Sequence, residues 1–162
     1  DIDEAWISEA KPSGRAFWKP DCVITDEERN ALIALQDREN AKGGMTVNYL
    51  GHFESAAHFG CNAGGKMIYV DAFGEVSPCV FAPVTFGNVQ ERDVRDIWSG
   101  MGAAFAPDSK CFVNHNYALF EKHYAGRIPF PPSESLALMK DVRFGRPGRF
   151  LEALYGRKRS IA

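Results

Sequence analysis

The segment from Cys61 to Cys79 constrains the fold of this chain more than any other part of the sequence. Residues 67–70 are a short apolar run typical of a strand, and residues 75–77 begin a second run, which a proline ends. The residues between them are rich in turn formers, and Gly74 can adopt a positive φ there. The spacing predicts a β-hairpin that brings its two flanking cysteines together. Thiolates that converge in this way can bind a metal.

The cysteine content allows two explanations. An even number of cysteines can form two disulfides, or the thiolates can bind metal. The chain shows no signal-peptide pattern and is long enough to fold without covalent cross-links, so metal ligation is the favoured interpretation. The four cysteines are Cys22, Cys61, Cys79 and Cys111.

Composition and motifs exclude several functions. The net charge of −2 gives no support for non-specific nucleic-acid binding, so no nucleic-acid partner is expected. No apolar run approaches the roughly 20 residues that span a bilayer, and a cytoplasmic location is expected. No Ser-His-Asp set, P-loop or dinucleotide fingerprint is present. Because the chain begins with Asp1, we expect it to be part of a longer polypeptide.

The first third of the chain is predicted to form a strand, a helix and a second strand. Residues 4–10 suit a short strand, and Thr25 with Glu28 forms a capping-box pattern at the start of a helix. Apolar residues at helical spacing, centred on Leu32 and Leu35, predict a face that packs in the core. Two glycines end this helix, and residues 45–50 follow as a strand.

The remainder is predicted to be mostly helical. Residues 93–98 have the pattern of a short amphipathic helix, and a loop over residues 106–111 delivers Cys111. Residues 116–124 suit another helix, which ends near a glycine. A proline-rich connection leads to a further helix, and the basic tail from Arg143 is expected to be a solvated or docking terminal helix.

The order of these features resembles the SPASM/twitch region of radical S-adenosylmethionine enzymes. The resemblance is strongest over residues 51–115, and it implies an α+β fold. The last β/α unit of a partial (β/α) barrel would occupy residues 1–50, and a small twitch-type cluster domain, a β-hairpin plus a helix, residues 51–125. A C-terminal helical extension would occupy residues 126–162. The motif is Cys61-x12-Gly74-x4-Cys79, followed by Gly87-Asn88-Val89 and Asp96-Ile97-Trp98.

The resemblance implies one auxiliary [4Fe–4S] cluster. Its ligands would be Cys61, Cys79 and Cys111, and Cys22 is the one cysteine left to complete the set of four. An open iron, or a ligand such as His115 or Asp108, is the alternative. The larger SPASM form carries a further Cys-x2-Cys-x5-Cys-x3-Cys run that this chain lacks. Zinc is disfavoured because the chain has no closely spaced cysteine pair. Two further histidines could bind metal but more often serve other roles: His52 and His58.

The chain also lacks the Cys-x3-Cys-x2-Cys loop that holds the S-adenosylmethionine-cleaving cluster in the family. We therefore expect that the chain alone does not cleave S-adenosylmethionine. Its expected partner is the remainder of the barrel, and the substrate is a peptide or a small molecule that the sequence does not identify. The alternative function is a non-catalytic binding or scaffold module, with a structural metal site or buried free cysteines.

Overall fold

The computed structural model describes residues 2–13, 21, 23–106 and 108–159, with side chains in the last helix described as far as Leu154. This described part combines small sheets with helices, which agrees with the expected α+β class. None of its helices is long and apolar enough to cross a membrane. In chain order the elements are β1 (Glu4–Ile7), α1 (Asp26–Ala41), β2 (Thr46–Tyr49), α2 (Leu50–Phe53), β3 (Tyr69–Val70), β4 (Val76–Ser77), α3 (Val94–Ala104), α4 (Phe112–His123), α5 (Pro132–Leu138) and α6 (Arg149–Arg159).

β1, α1 and β2 form a parallel βαβ unit. The strands pair in register from Glu4 opposite Thr46 to Ile7 opposite Tyr49. The predicted capping box is confirmed at the start of α1. The Glu28 amide donates to the hydroxyl oxygen of its N-cap threonine at 3.1 Å, and the amide of that threonine donates to the Glu28 carboxylate at 2.8 Å. Because parallel strands end at the same edge, the segments that follow β1 and β2 lie together.

The attachment of α1 differs from the expectation. No residue of this helix is fully buried, so the prediction that its apolar face packs in the core was wrong. Polar side chains attach the helix to β2 instead. The Asn40 amide donates to the Val47 carbonyl at 2.9 Å and accepts from the Val47 amide at 2.7 Å. The Gln36 carbonyl accepts from the Tyr49 amide at 2.7 Å. Leu32, Ile33 and Leu35 remain half-buried because the two-stranded sheet covers only part of the helix.

The hairpin predicted between Cys61 and Cys79 is present. β3 and β4 are antiparallel, with Tyr69 opposite Ser77 and Val70 opposite Val76. Gly74 lies in the turn at φ +86°, which confirms that its role is in backbone geometry. A Cβ built on Gly74 would lie 2.6 Å from the side-chain oxygen of Asn88, so the position also has no room for a side chain.

Gly74→Ala should destabilise the hairpin more than the same change at a glycine with a similar backbone and open surroundings. Gly43 is such a control, since its φ is +72° and nothing lies within 4 Å of a built Cβ. Both variants should lose about 1 kcal/mol from the left-handed conformation. Only Gly74→Ala also forces Asn88 to move. Chemical denaturation of both variants measures the difference, and equal losses would contradict the role of the Asn88 contact.

The main core lies between the hairpin and the later helices. α3 continues to Ala104, so Gly100 and Gly102 do not end the helix. α4 begins at Phe112, directly after Cys111, and so starts earlier than the sequence predicted. The buried core residues are Ala63, Val76, Cys79, Ala82, Val84, Phe86, Ile97, Met101, Cys111, Phe112, Val113, Phe120, Phe130 and Leu138.

The terminal helix α6 docks at its beginning, as expected for a docking tail. The amides of Arg149 and Phe150 donate to the carbonyls of Ala56 and His58 at 2.8 and 3.0 Å. The rings of Phe150 and Phe59 lie 4.6 Å apart. These contacts connect the end of the chain to the segment that leads into Cys61.

Candidate iron–sulfur site

Backbone contacts tie the three loops that carry Cys61, Cys79 and Cys111. The Cys61 amide donates to the Asp108 carbonyl at 2.7 Å, three residues before Cys111. The Gly64 amide donates to the Pro78 carbonyl at 3.2 Å, directly before Cys79. The predicted convergence of these loops is therefore present in the backbone.

The sulfur of Cys61 lies at the N-terminus of α4. The Phe112 amide donates to this sulfur at 3.5 Å, and Cys111 itself is the N-cap of the helix. Unpaired amides and the positive end of the helix dipole stabilise negative charge at such a position. The end of α4 thus lowers the free-energy cost of a thiolate at this position.

The three cysteines are free thiols, so the disulfide alternative is wrong for this part of the chain. Burial raises the pKa of Cys61 to about 12 and that of Cys79 to about 11, and it raises the pKa of Cys111 as well. Negative charge on the sulfurs of Cys111 and Cys79 raises the pKa of Cys61 further. Without a metal these thiols are therefore neutral at physiological pH and do not have the low pKa of a reactive nucleophile.

Backbone amides oppose this rise at every one of the three sulfurs. The amides that lower the thiol pKa belong to residues two or three positions after the cysteine in each loop, together with Phe112 at Cys61. Amides directed at sulfur are typical of the surroundings that tune iron–sulfur clusters. The residues that follow each cysteine in this way are Ala63, Phe81, Ala82, Val113 and Asn114.

A buried charged network lies beside Cys111, at the edge where β1 and β2 end. The Glu9 carboxylate accepts two hydrogen bonds from Arg29, each at 3.0 Å, and one from the hydroxyl of Tyr49. The Lys11 ammonium donates to Glu9 at 3.1 Å and to Glu54 at 2.6 Å. The side chains of Lys11 and Glu9 are only 5% and 1% exposed.

Lys11 connects this network to the cysteines electrostatically. Burial raises the pKa of Cys111, and the positive charge of Lys11 lowers it. Glu54 acts in the opposite direction on Cys111 and on Cys79. The charge of Lys11 would therefore offset part of the negative charge of a thiolate at Cys111.

Asp108 holds the imidazole of His115. One carboxylate oxygen lies 2.8 Å from Nδ1 of His115 and also accepts from the Gly145 amide at 2.8 Å, and the other accepts from the Lys110 amide at 3.0 Å. The carboxylate is buried and committed to these contacts. Asp108 is therefore a positioning residue for His115 and for the Cys111 loop rather than a free metal ligand.

The other candidate histidines have polar partners. Nδ1 of His52 lies 2.6 Å from the Gln36 amide, and Nδ1 of His58 lies 3.3 Å from the Ser55 hydroxyl. Within the described residues, no group of three or more His, Cys, Asp or Glu side chains is spaced for a single metal ion. Ligands of a cubane cluster each bind a different iron, so they surround a larger group than one ion.

Three features of the site were missed at the sequence level. No sequence motif predicts the buried Glu9–Lys11 pair, the two hydrogen bonds from Arg29 to Glu9, or the buried side-chain amide of Asn114. Two charged residues directly after a strand could have indicated the Glu9–Lys11 pair, but charged residues at such positions are more often solvated. Cys22, the predicted fourth ligand, lies outside the described residues.

Comparison with known proteins agrees with this geometry. Residues 61–118 match the SPASM family, described as an iron–sulfur cluster-binding domain. The AdoMet-dependent heme synthase of Methanosarcina barkeri (strain Fusaro / DSM 804) is 35% identical over 93 residues, which cover 57% of this chain and 25% of that protein. The chain thus aligns with about a quarter of the length of this relative. No solved structure matches the chain. Residues 61–118 of this chain are therefore similar to the SPASM iron–sulfur cluster-binding domain.

Proposed function

We propose that this chain holds one auxiliary [4Fe–4S] cluster through Cys61, Cys79 and Cys111, within the C-terminal part of a radical S-adenosylmethionine enzyme. The observation that carries this proposal is the set of three free, largely buried thiols on three connected loops. Each sulfur has its own backbone amides, and the charges of all three interact. Soft thiolate ligands with amide donors suit an iron–sulfur cluster.

The surroundings also fit the cluster. Cys79 and Cys111 belong to the apolar core, so a group bound there would be shielded from water by neighbours such as Phe112 and Ala82. Lys11 supplies a positive charge that acts on Cys111. When bound, the cluster would supply either an electron relay or an iron site for part of a substrate. The protein holds the ligands, limits water and sets the local charge.

A cubane cluster has a fourth iron, which needs a ligand besides the three cysteines. We propose Cys22 for this role, with an open iron as the alternative. His115 remains a second candidate, because Asp108 engages its Nδ1 and leaves Nε2 without a contact among those described above. Asp108 is not proposed as a ligand, since its carboxylate already has three partners.

The parent enzyme is part of the same proposal. The parallel unit of β1, α1 and β2 has the topology expected at the end of a partial (β/α) barrel, and the remainder of that barrel is the proposed partner. S-adenosylmethionine would bind to that remainder. We propose residues 51–125 as the twitch-type domain. Heme synthesis is one candidate for the parent's activity, because the similar Methanosarcina protein is named for it. Other small molecules and peptides remain candidate substrates.

Purification without oxygen tests the proposal. The chain, supplied with ferrous iron and sulfide, should become brown, absorb near 400 nm and contain about four iron and four sulfide per chain, as a cubane cluster requires. A colourless protein that holds zinc, or that takes up no metal, would support the scaffold alternative and contradict the cluster.

A further inference from the structure

A cavity of about 560 Å³ lies between α4 and the segment that follows α5. Small-molecule sites usually have volumes of about 300 to 1,000 Å³, so this cavity is large enough for an organic ligand. Ala118 and Leu119 form an apolar part of its lining, and the positively charged residues Lys122 and Arg143 form another part. None of Cys61, Cys79 and Cys111 lines it, so the proposed cluster does not account for this cavity.

The backbone at Arg143 is held against α4. The Asn116 side chain donates to the Arg143 carbonyl at 3.0 Å and accepts from the Arg143 amide at 2.8 Å. The Gly145 amide donates to the Asp108 carboxylate at 2.8 Å. Asn116 and Asp108 are buried, whereas Arg143 itself is exposed. Two buried polar side chains thus fix the position from which the guanidinium extends, which reduces the entropy that binding a ligand would cost.

The two cations of the lining have no carboxylate partner. Within the described part of the chain, the side chains of Lys122 and Arg143 form neither a hydrogen bond nor an ion pair, although Asp141 lines the same cavity. The Lys110 ammonium, by contrast, binds Asp26 at 2.9 Å. Lys122 also suits the negative end of the dipole of α4, but Arg143 lies outside any helix, so the dipole does not explain the pair. Both cations are available to an anion.

The surroundings favour a carboxylate over a phosphate. Most of the α4 residues in the lining belong to the second half of the helix, near the end that carries partial negative charge. Phosphate sites typically use the opposite end of a helix, where backbone amides are free. Asp141 adds a negative charge, which repels a phosphate with nearly two charges more than a carboxylate with one. The planar guanidinium of Arg143 can donate two parallel hydrogen bonds to a carboxylate.

We propose that this cavity binds a small organic acid, with its carboxylate at Arg143 and Lys122 and its hydrocarbon part against Ala118 and Leu119. The inference goes beyond the proposed function and does not depend on the cluster. Attraction between opposite charges and burial of apolar surface supply the affinity, and no covalent step is involved.

Isothermal titration calorimetry of the full chain with isophthalate tests the proposal. This probe has an apolar ring and carboxylates, the matching benzenedimethanol has the same ring without charge, and inorganic phosphate has charge without a ring. Isophthalate should bind with a dissociation constant of about 1 mM or lower, and the other two probes at least about tenfold more weakly. Absence of isophthalate binding at about 10 mM, or binding of either comparison probe as tight as that of isophthalate, would overturn the proposal.

Substitutions locate the bound acid. Arg143→Gln and Lys122→Gln each remove a charge and leave the backbone bonds of Asn116 in place, so both variants should fold. Each should weaken isophthalate binding about tenfold, the effect of losing one hydrogen bond to a charged group. Asp141→Asn removes a repelling charge and should strengthen binding about twofold.

Arg146→Gln is the matched control, because Arg146 is exposed in the same segment but does not line the cavity. It should bind isophthalate as the unmutated chain does, and thermal unfolding without the probe confirms that each variant is folded. Equal weakening in Arg146→Gln and Arg143→Gln would show an effect of net charge alone and overturn the assigned site. Weaker binding in Asp141→Asn would overturn it as well. Iron content has no part in these outcomes, so they are independent of the proposed function.

Discussion

Cys79→Ser is expected to remove most of the bound iron. The Cys79 thiol is buried in the main core and lies within electrostatic range of Cys61 and Cys111. A serine hydroxyl is a poor ligand for iron in a cubane cluster, and metal binding in such small regions is coupled to folding. We therefore expect both a loss of most iron and a lower melting temperature. Iron and sulfide analysis after identical reconstitution measures the first effect, and circular dichroism measures the second.

A control must separate ligand loss from general destabilisation. Ser135→Ala serves this purpose, because the buried Ser135 hydroxyl accepts from the Thr85 amide at 3.0 Å and donates to the Phe130 carbonyl at 2.9 Å. Losing these bonds should cost about 2 kcal/mol without touching a thiol. Ser135→Ala should therefore melt at a lower temperature and keep its iron. Full iron in Cys79→Ser would contradict the proposed ligand set. Cys22→Ser in the same assay reports on the fourth ligand.

Glu9→Gln is expected to lower the free energy of unfolding by about 3 kcal/mol, the loss typical of breaking a buried ion pair. Glu9 is the centre of the network, bound by Arg29, Lys11 and Tyr49. The neutral amide leaves two buried cations with less compensating charge. Glu39→Gln is the matched control. Glu39 pairs with Lys42 at 2.6 Å on the surface, where ion pairs contribute little. Chemical denaturation at neutral pH measures both variants, and similar losses in the two would contradict the central role of Glu9.

The network around Glu9 also makes the free energy of unfolding depend on pH. Burial alone would raise the pKa of Glu9, but hydrogen bonds from Arg29 and Tyr49 and the charge of Lys11 outweigh it and lower the pKa from 4.5 to about 2. A carboxylate with a lowered folded-state pKa stabilises the fold above its unfolded pKa, and this stabilisation is lost as the pH falls toward the folded value. The stability difference between the unmutated chain and Glu9→Gln should therefore be constant above about pH 5 and shrink below it, with both proteins in the same metal state. A difference that is independent of pH would show that the pKa of Glu9 is the same in the folded and unfolded states, and it would contradict the lowered pKa.

Local signals in the sequence determined much of this protein. The capping box at Thr25, the hairpin between Cys61 and Cys79 and the positive φ of Gly74 each depend on a few adjacent residues, and all three are present. The cysteine spacing predicted the similarity to the SPASM family for a similar reason, since a short hairpin leaves few ways to arrange its flanking residues. The start of α4 was missed because Cys111 is an unusual N-cap, with no side-chain cap bond.

Only the tertiary structure decided which distant residues surround the site. The sequence separates Lys11 from Cys111 by most of the chain, yet burial places them within electrostatic range. The exposure of α1 also depended on how much sheet covers it, a quantity that periodicity does not contain. The unpaired amide of Asn114 became visible only when every neighbouring donor and acceptor had been placed. The sequence alone determined the local turns, caps and cysteine spacing, because adjacent residues set them. Burial and charge at the site were decided by packing between segments that are far apart in the chain.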